Sequence, residues 1–78
     1  MLKRAVYPGT FDPFTLGHLD IVERAVKIFD DVIIAVANPR HKEPLLPIDV
    51  RKNLIIESVS HLKNVSVMEF EGLLVDFL

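Results

Sequence analysis

Pro8-Gly9-Thr10-Phe11-Asp12-Pro13-Phe14-Thr15-Leu16-Gly17-His18 separates a short apolar run, Leu2 to Tyr7, from a segment whose apolar residues recur at helical spacing. The run is rich in strand formers and meets the turn signal Pro8-Gly9, so Leu2 to Tyr7 reads as a strand that stops there. Thr15 can act as an N-cap, and Leu19, Val22, Ala25, Val26 and Phe29 make Gly17 to Phe29 a helix closed by Asp30 and Asp31. The bend between them thus sits at the carboxyl end of a strand and the N-terminus of a helix, where free backbone N–H groups and the helix dipole favour an anion. Gly9 is expected to let the chain turn and Gly17 to leave the helix start open. His18 falls in the first helical turn, its imidazole near the same anion.

Beyond the first helix, Val32 to Ala37 is an uninterrupted apolar run of strand length, the pattern of a central strand covered on both faces. Asn38 to Pro47 carries prolines and basic residues without periodicity and reads as a loop. A second helix follows, with Asp49 in its first turn, Leu54, Ile55, Val59 and Leu62 as its buried stripe, and Lys63 and Asn64 at its close. Val65 to Phe70 alternates as a third strand, and Gly72 to Leu78 reads as the beginning of another helix. Strands and helices in this order predict an α/β, Rossmann-like parallel sheet, the βαβαβ half of a doubly wound unit, with right-handed crossovers and strand order 3-2-1. Residues 1–78 are then the N-terminal mononucleotide-binding half of a single domain. In that order the first strand has an open side, so a fourth strand beyond Leu78 is expected and the chain is read as a fragment.

Composition narrows the rest. The 78 residues are 50% hydrophobic and 26% charged, with a formal net charge of -2. That describes an ordinary globular chain and gives no general attraction to nucleic acid or to an anionic membrane, so anion binding must come from a built site. The absence of cysteine excludes disulfides and thiolate metal sites. The apolar stretch after Met1 to Arg4 is too short for a signal-peptide core and no segment is long enough to span a bilayer, which gives a cytoplasmic reading.

The run Tyr7 to Pro13 followed by Thr15-x-Gly17-His18 resembles the signature of the nucleotidylyltransferase superfamily, in which H-x-G-H is usual. Thr15 in place of the first His, with Asp20-Ile21-Val22 after it, is similar to the bacterial phosphopantetheine adenylyltransferases. The Lys42-x-Pro44 loop, the helix bearing Arg51 and the turn Phe70-x-Gly72-Leu73-Leu74 fall in that family's order, so the resemblance covers the whole chain. It implies adenylyl transfer from ATP to 4′-phosphopantetheine, giving dephospho-coenzyme A and pyrophosphate, with Mg²⁺ on the triphosphate and no protein metal cage. It further implies that Thr10 holds the nucleophilic phosphate, His18 stabilises the transition state and Lys42 bridges both. Leu74 would line the pantetheine site, and Thr10, Phe11 and His18 would touch ATP. The parent protein would be a homo-oligomer, a hexamer by resemblance. The family's Arg-Gly-Leu-Arg and Ser-rich segments, which complete the ATP site, are absent from these residues, so the fragment alone is expected to be inactive.

Plainer readings stand beside these. Two glycines alone can be a turn and a packing residue, a lone His at a helix start can be a surface cap, and Lys42 in a proline-bearing loop can be a solvated charge. Asp12 before Pro13 is read as hydrogen-bonding its own turn rather than binding a metal. Two further functions compete: a related nucleotidylyltransferase using another phosphorylated acceptor or CTP, and a non-catalytic assembly module that pairs through the exposed edge of the first strand.

Overall fold

The computed structural model describes residues 2–38 and 45–71, Glu71 by its backbone only. Five elements follow in the expected alternation: β1 (Arg4–Gly9), α1 (Leu16–Ala25), β2 (Asp31–Asn38), α2 (Ile48–Ser58) and β3 (Val65–Glu71). The strands form one parallel sheet in the order β1-β2-β3, the 3-2-1 arrangement read from the other edge. Lys42, Leu74 and the helix expected from Gly72 lie outside the described residues.

The register explains which face carries the helices. Tyr7 lies beside Ile34, and Ile34 beside Val67. Residues level with one another on parallel strands point to the same side. On that side Ile34 and Val36 cluster with Val22 from α1, Ile55 from α2, and Phe11 and Val59. Both helices therefore cover one face, as two right-handed crossovers in a row require. The expectation that β2 is buried on both faces holds only in part. Ile34 and Val36 are fully buried by the helices, whereas on the other side Ile33 is half-buried, and Val6 beside it and Met68 beside Ala35 are exposed. Among the described residues no helix packs on that second face. Ala35 is nonetheless fully buried, flanked in register by Pro8 and Met68.

Several element ends differ from the sequence reading: β1 begins at Arg4, α2 ends at Ser58 rather than at Lys63 and Asn64, and two further ends differ for local reasons. β1 does not stop before Pro8-Gly9 but runs through both, with Pro8 level with Ala35 and Gly9 level with Val36. β1 is an edge of the described sheet, where a residue lacking an N–H is tolerated. α1 ends at Ala25 rather than Phe29. Its last carbonyls tighten, Ile28 N–H donating to Ala25 O at 3.0 Å, and the Asn64 amide takes up the Phe29 carbonyl at 3.1 Å. Asn64 thus ties the end of the first crossover to the start of β3.

α2 shows the most informative difference. Its inward positions are Arg51 and Ile55, continued past its end by Val59 at the C-cap and partly buried Leu62, while Leu54 is exposed. These are spaced i, i+4, i+8 and i+11, one stripe of a helix. A cation therefore occupies a place the sequence reading gave to a leucine.

Candidate active site

The bend between β1 and α1 gathers the residues that the sequence singles out. Its turning point is Phe11, whose φ of 51° lies in the left-handed region that bulky residues rarely adopt. Gly9, expected to be the hinge, is instead the last strand residue. Its value is its lack of a side chain, because a Cβ there would lie 2.9 Å from Cζ of the Phe11 ring. Phe11 is only 4% exposed and meets Tyr7 edge-on at 5.2 Å between ring centres. The strained backbone at Phe11 is therefore held by a ring driven into the space that a glycine leaves open.

Thr15 and His18 close the helix start on themselves. Thr15 Oγ1 accepts from the His18 backbone N–H at 3.3 Å, and His18 Nδ1 accepts from the Thr15 backbone N–H at 2.9 Å. This is a capping box in which histidine fills the position usually held by Glu or Gln. It has a chemical consequence. A backbone N–H can only donate, so Nδ1 must be the unprotonated nitrogen, and the proton of the neutral ring sits on Nε2. Nε2 has no hydrogen-bond partner among the described residues. The ring is further fixed by Phe11, perpendicular to it at 5.1 Å, and by Phe14 at 5.4 Å. His18 is thus a half-buried donor aimed from a helix N-terminus, beside the end of β1. Gly17 is exposed, and among the described residues a Cβ there would meet only Thr15 Oγ1 at 3.6 Å, so none of them fills the space beside it at the helix start.

Thr10 follows β1 directly and is exposed, with its carbonyl accepting from Arg51 Nη1 at 2.9 Å. Thr10 adjoins Phe11, whose ring packs against His18, so the three residues lie at one bend. Asp12 departs from its expected role. Instead of its own turn, its carboxylate accepts from the backbone N–H of Leu45 at 2.6 Å and of Leu46 at 2.9 Å, across to the segment before α2. Arg51 and Asp12 are the structural contributors that the sequence reading missed. The signal for Arg51 was its spacing of four from Ile55, which puts it on the buried stripe. Among the described residues no group of three or more His, Asp or Glu side chains is placed to hold a metal ion, and none of the described helices is long and apolar enough to cross a membrane.

A parallel sheet with an amide- and imidazole-lined bend at the carboxyl end of a strand is the architecture of Rossmann-like nucleotide-binding proteins. Within that class the assignment is direct: the chain belongs to the cytidylyltransferase-like family, whose model matches residues 6–78. It is 56% identical over 77 residues to a phosphopantetheine adenylyltransferase of Campylobacter curvus, covering 99% of this chain and 49% of that protein. The corresponding protein of Campylobacter hominis is 49% identical, with 99% of this chain and 48% of the relative covered. The chain thus spans about half the length of the curated relatives it matches. Among solved structures, NadR in complex with NAD and AMP-PNP superposes with a TM-score of 0.79 at 21% identity, over 94% of this chain and 21% of that one. A bifunctional NMN adenylyltransferase/ADP ribose pyrophosphatase from Francisella tularensis, complexed with AMP and a Mn ion, gives 0.77 at 22% identity, over 92% of this chain and 23% of that one. These two likenesses bear on the fold alone.

Proposed function

We propose that residues 1–78 act as the mononucleotide-binding half of an adenylyltransferase that joins ATP to 4′-phosphopantetheine, releasing pyrophosphate and dephospho-coenzyme A. The observation that carries the adenylyl-transfer reading is the capping box of Thr15 and His18, which presents one imidazole N–H from a helix N-terminus beside the end of β1. The choice of acceptor rests on the Campylobacter relatives.

The chemistry asks little of the protein in proton transfer. The acceptor's phosphate is already anionic, so its oxygen can attack the α-phosphorus of ATP as the bond to the β-phosphate oxygen breaks and pyrophosphate leaves. What the site must supply is alignment and charge neutralisation. His18 donates from Nε2 to an α-phosphate oxygen as negative charge builds on it, and the Thr10–Phe11 backbone lies against the nucleotide. Thr10 holds the acceptor's phosphate, Lys42 bridges the two substrates, and Leu74 lines the pantetheine arm. Mg²⁺ enters on the triphosphate as part of the substrate, and the described residues form no cage of their own for it.

The test is pyrophosphate release by a full-length polypeptide carrying this chain, supplied with ATP or CTP and with 4′-phosphopantetheine, glycerol phosphate or nicotinamide mononucleotide. Turnover confined to ATP with 4′-phosphopantetheine is expected. Equal turnover with another acceptor, or with CTP, would refute the assignment.

A further inference from the structure

Arg51 is the one charged side chain among the described residues that is fully buried, and the family reading gives it no task. Its guanidinium is spent on backbone. Nη1 donates to Thr10 O and to Ala37 O, both at 2.9 Å, and Nε donates to Leu46 O at 3.0 Å. Nη2 reaches Asn38 Oδ1 at 3.5 Å. These partners belong to three separate stretches: the bend after β1, the end of β2 and the segment leading into α2. A planar fork of fixed donors can hold three such stretches in one arrangement, whereas a flexible ammonium cannot. No buried side-chain nitrogen or oxygen among the described residues lacks a partner, so the fork is satisfied as it stands.

Asp12 grips the same junction from the opposite side. Its carboxylate accepts from Leu45 and Leu46 N–H, while Arg51 takes the Leu46 carbonyl. Leu46 is thereby held at both its N–H and its C=O, by one residue from the bend and one from α2. Resting on the proposed adenylyl transfer, we infer that Arg51 and Asp12 are positioning residues. They clamp the Thr10–Phe11 backbone against the ends of β2 and the α2 approach, and so fix where the nucleotide's phosphates meet His18. Neither is given a substrate contact: Arg51 acts through the Thr10 carbonyl, and Asp12 through the Leu45 and Leu46 amides.

Stability alone would also bury an arginine here, so the test must separate the two roles. In a full-length polypeptide carrying this chain, Asp12→Asn keeps shape but turns one acceptor into a donor facing an N–H, and Arg51→Lys keeps charge but loses the fork. Each is measured for kcat and KM in pyrophosphate release, for amide exchange at Leu45 and Leu46, and for its guanidinium midpoint, beside Asn64→Ala as a destabilised control remote from the bend. In Asp12→Asn we expect kcat to fall about 10- to 100-fold, the scale of a misplaced reacting group, with KM for ATP within about threefold. Exchange at Leu45 and Leu46 should rise at least about tenfold while other protected amides keep their rates. Arg51→Lys should follow the same pattern more strongly; if it does not fold, Asp12→Asn decides alone. A folded Asp12→Asn variant with kcat within about threefold of the parent overturns the inference, as does a rise in KM alone. So does a rate loss no larger than that of Asn64→Ala at an equal midpoint. If the parent releases no pyrophosphate from any pair, the functional proposal falls and exchange still decides the clamp: unchanged protection at Leu45 and Leu46 overturns it.

Discussion

Replacing His18 by glutamine separates the capping task that the structure shows from the donor task proposed for the same side chain. In the box with Thr15, position 18 must offer an acceptor to the Thr15 N–H, now met by Nδ1 at 2.9 Å. Glutamine is a standard occupant of that position, so His18→Gln keeps the cap. What it loses is the rigid ring, with its perpendicular contact to Phe11 at 5.1 Å, and the Nε2–H beyond it. The ring contact is worth roughly 0.5–1.5 kcal/mol, so a stability loss of about 1 kcal/mol is expected. Loss of a donor that serves the developing charge of the transition state costs about 100- to 1000-fold in kcat.

These magnitudes decide the interpretation. A protein stable by about 5 kcal/mol or more remains almost wholly folded after losing 1, so destabilisation cannot mimic a hundredfold fall in rate. The assay is steady-state pyrophosphate release by a full-length polypeptide carrying His18→Gln, with the folded fraction followed by guanidinium unfolding. We expect kcat to drop at least about 100-fold with KM for ATP changed far less, the mark of a group that acts in the transition state. His18→Ala, which also opens the cap, should be as slow and less stable by a further ~1 kcal/mol. A His18→Gln enzyme with kcat within about threefold of the parent would refute the donor role, and a collapse in its stability would refute the capping box.

Gly9→Ala should destabilise by about 1–3 kcal/mol in denaturant unfolding, because the new Cβ would stand 2.9 Å from a buried ring packed in the core. A neutral or stabilising result would show that Phe11 can move. Asn64→Ala removes donors to the Val26, Phe29 and Asp30 carbonyls, all at 3.1 Å or longer, and should cost about 1 kcal/mol with faster amide exchange where α1 meets β2. The Lys52–Glu69 pair at 3.2 Å joins α2 to β3 near the surface; a double-mutant cycle should give a coupling below about 1 kcal/mol that shrinks with added salt. Coupling that salt leaves unchanged would mean the pair is far better shielded than its exposure suggests.

The α/β alternation, the strand order and the place of the bend were legible because hydrophobic period and turn residues act locally. Val32 to Ala37 and Val65 to Phe70 announce strands in any context, and Thr15 announces a helix start. The Thr15–His18 box was half legible: the N-cap is a local preference, but that His18 returns its own Nδ1 to the Thr15 amide depends on a ring orientation set by Phe11 and Phe14. Asp12 could not be read from its neighbours, since its partners are 33 and 34 residues away. Gly9 was misjudged for a similar reason. A glycine suggests a positive φ, yet here the positive φ belongs to Phe11, and Gly9 is small so that the ring can pass.

Those long-range contacts bear on why such a site can be precise although it is built from loops. A loop at the end of a parallel strand has few backbone partners of its own, and the bend from Thr10 to Thr15 is strained at Phe11. Left to itself it would relax, and His18 would lose its fixed relation to Thr10. The structure opposes this from three directions: the ring of Phe11 pressed over Gly9, the capping box at the helix start, and the Thr10 carbonyl held by a buried cation from α2. The strain is therefore balanced by contacts that come from separate elements. Weakening any one of them should disturb the geometry of the bend before it unfolds the sheet, since the three strands are also held by their own parallel pairing, in which Thr10 to Thr15 take no part.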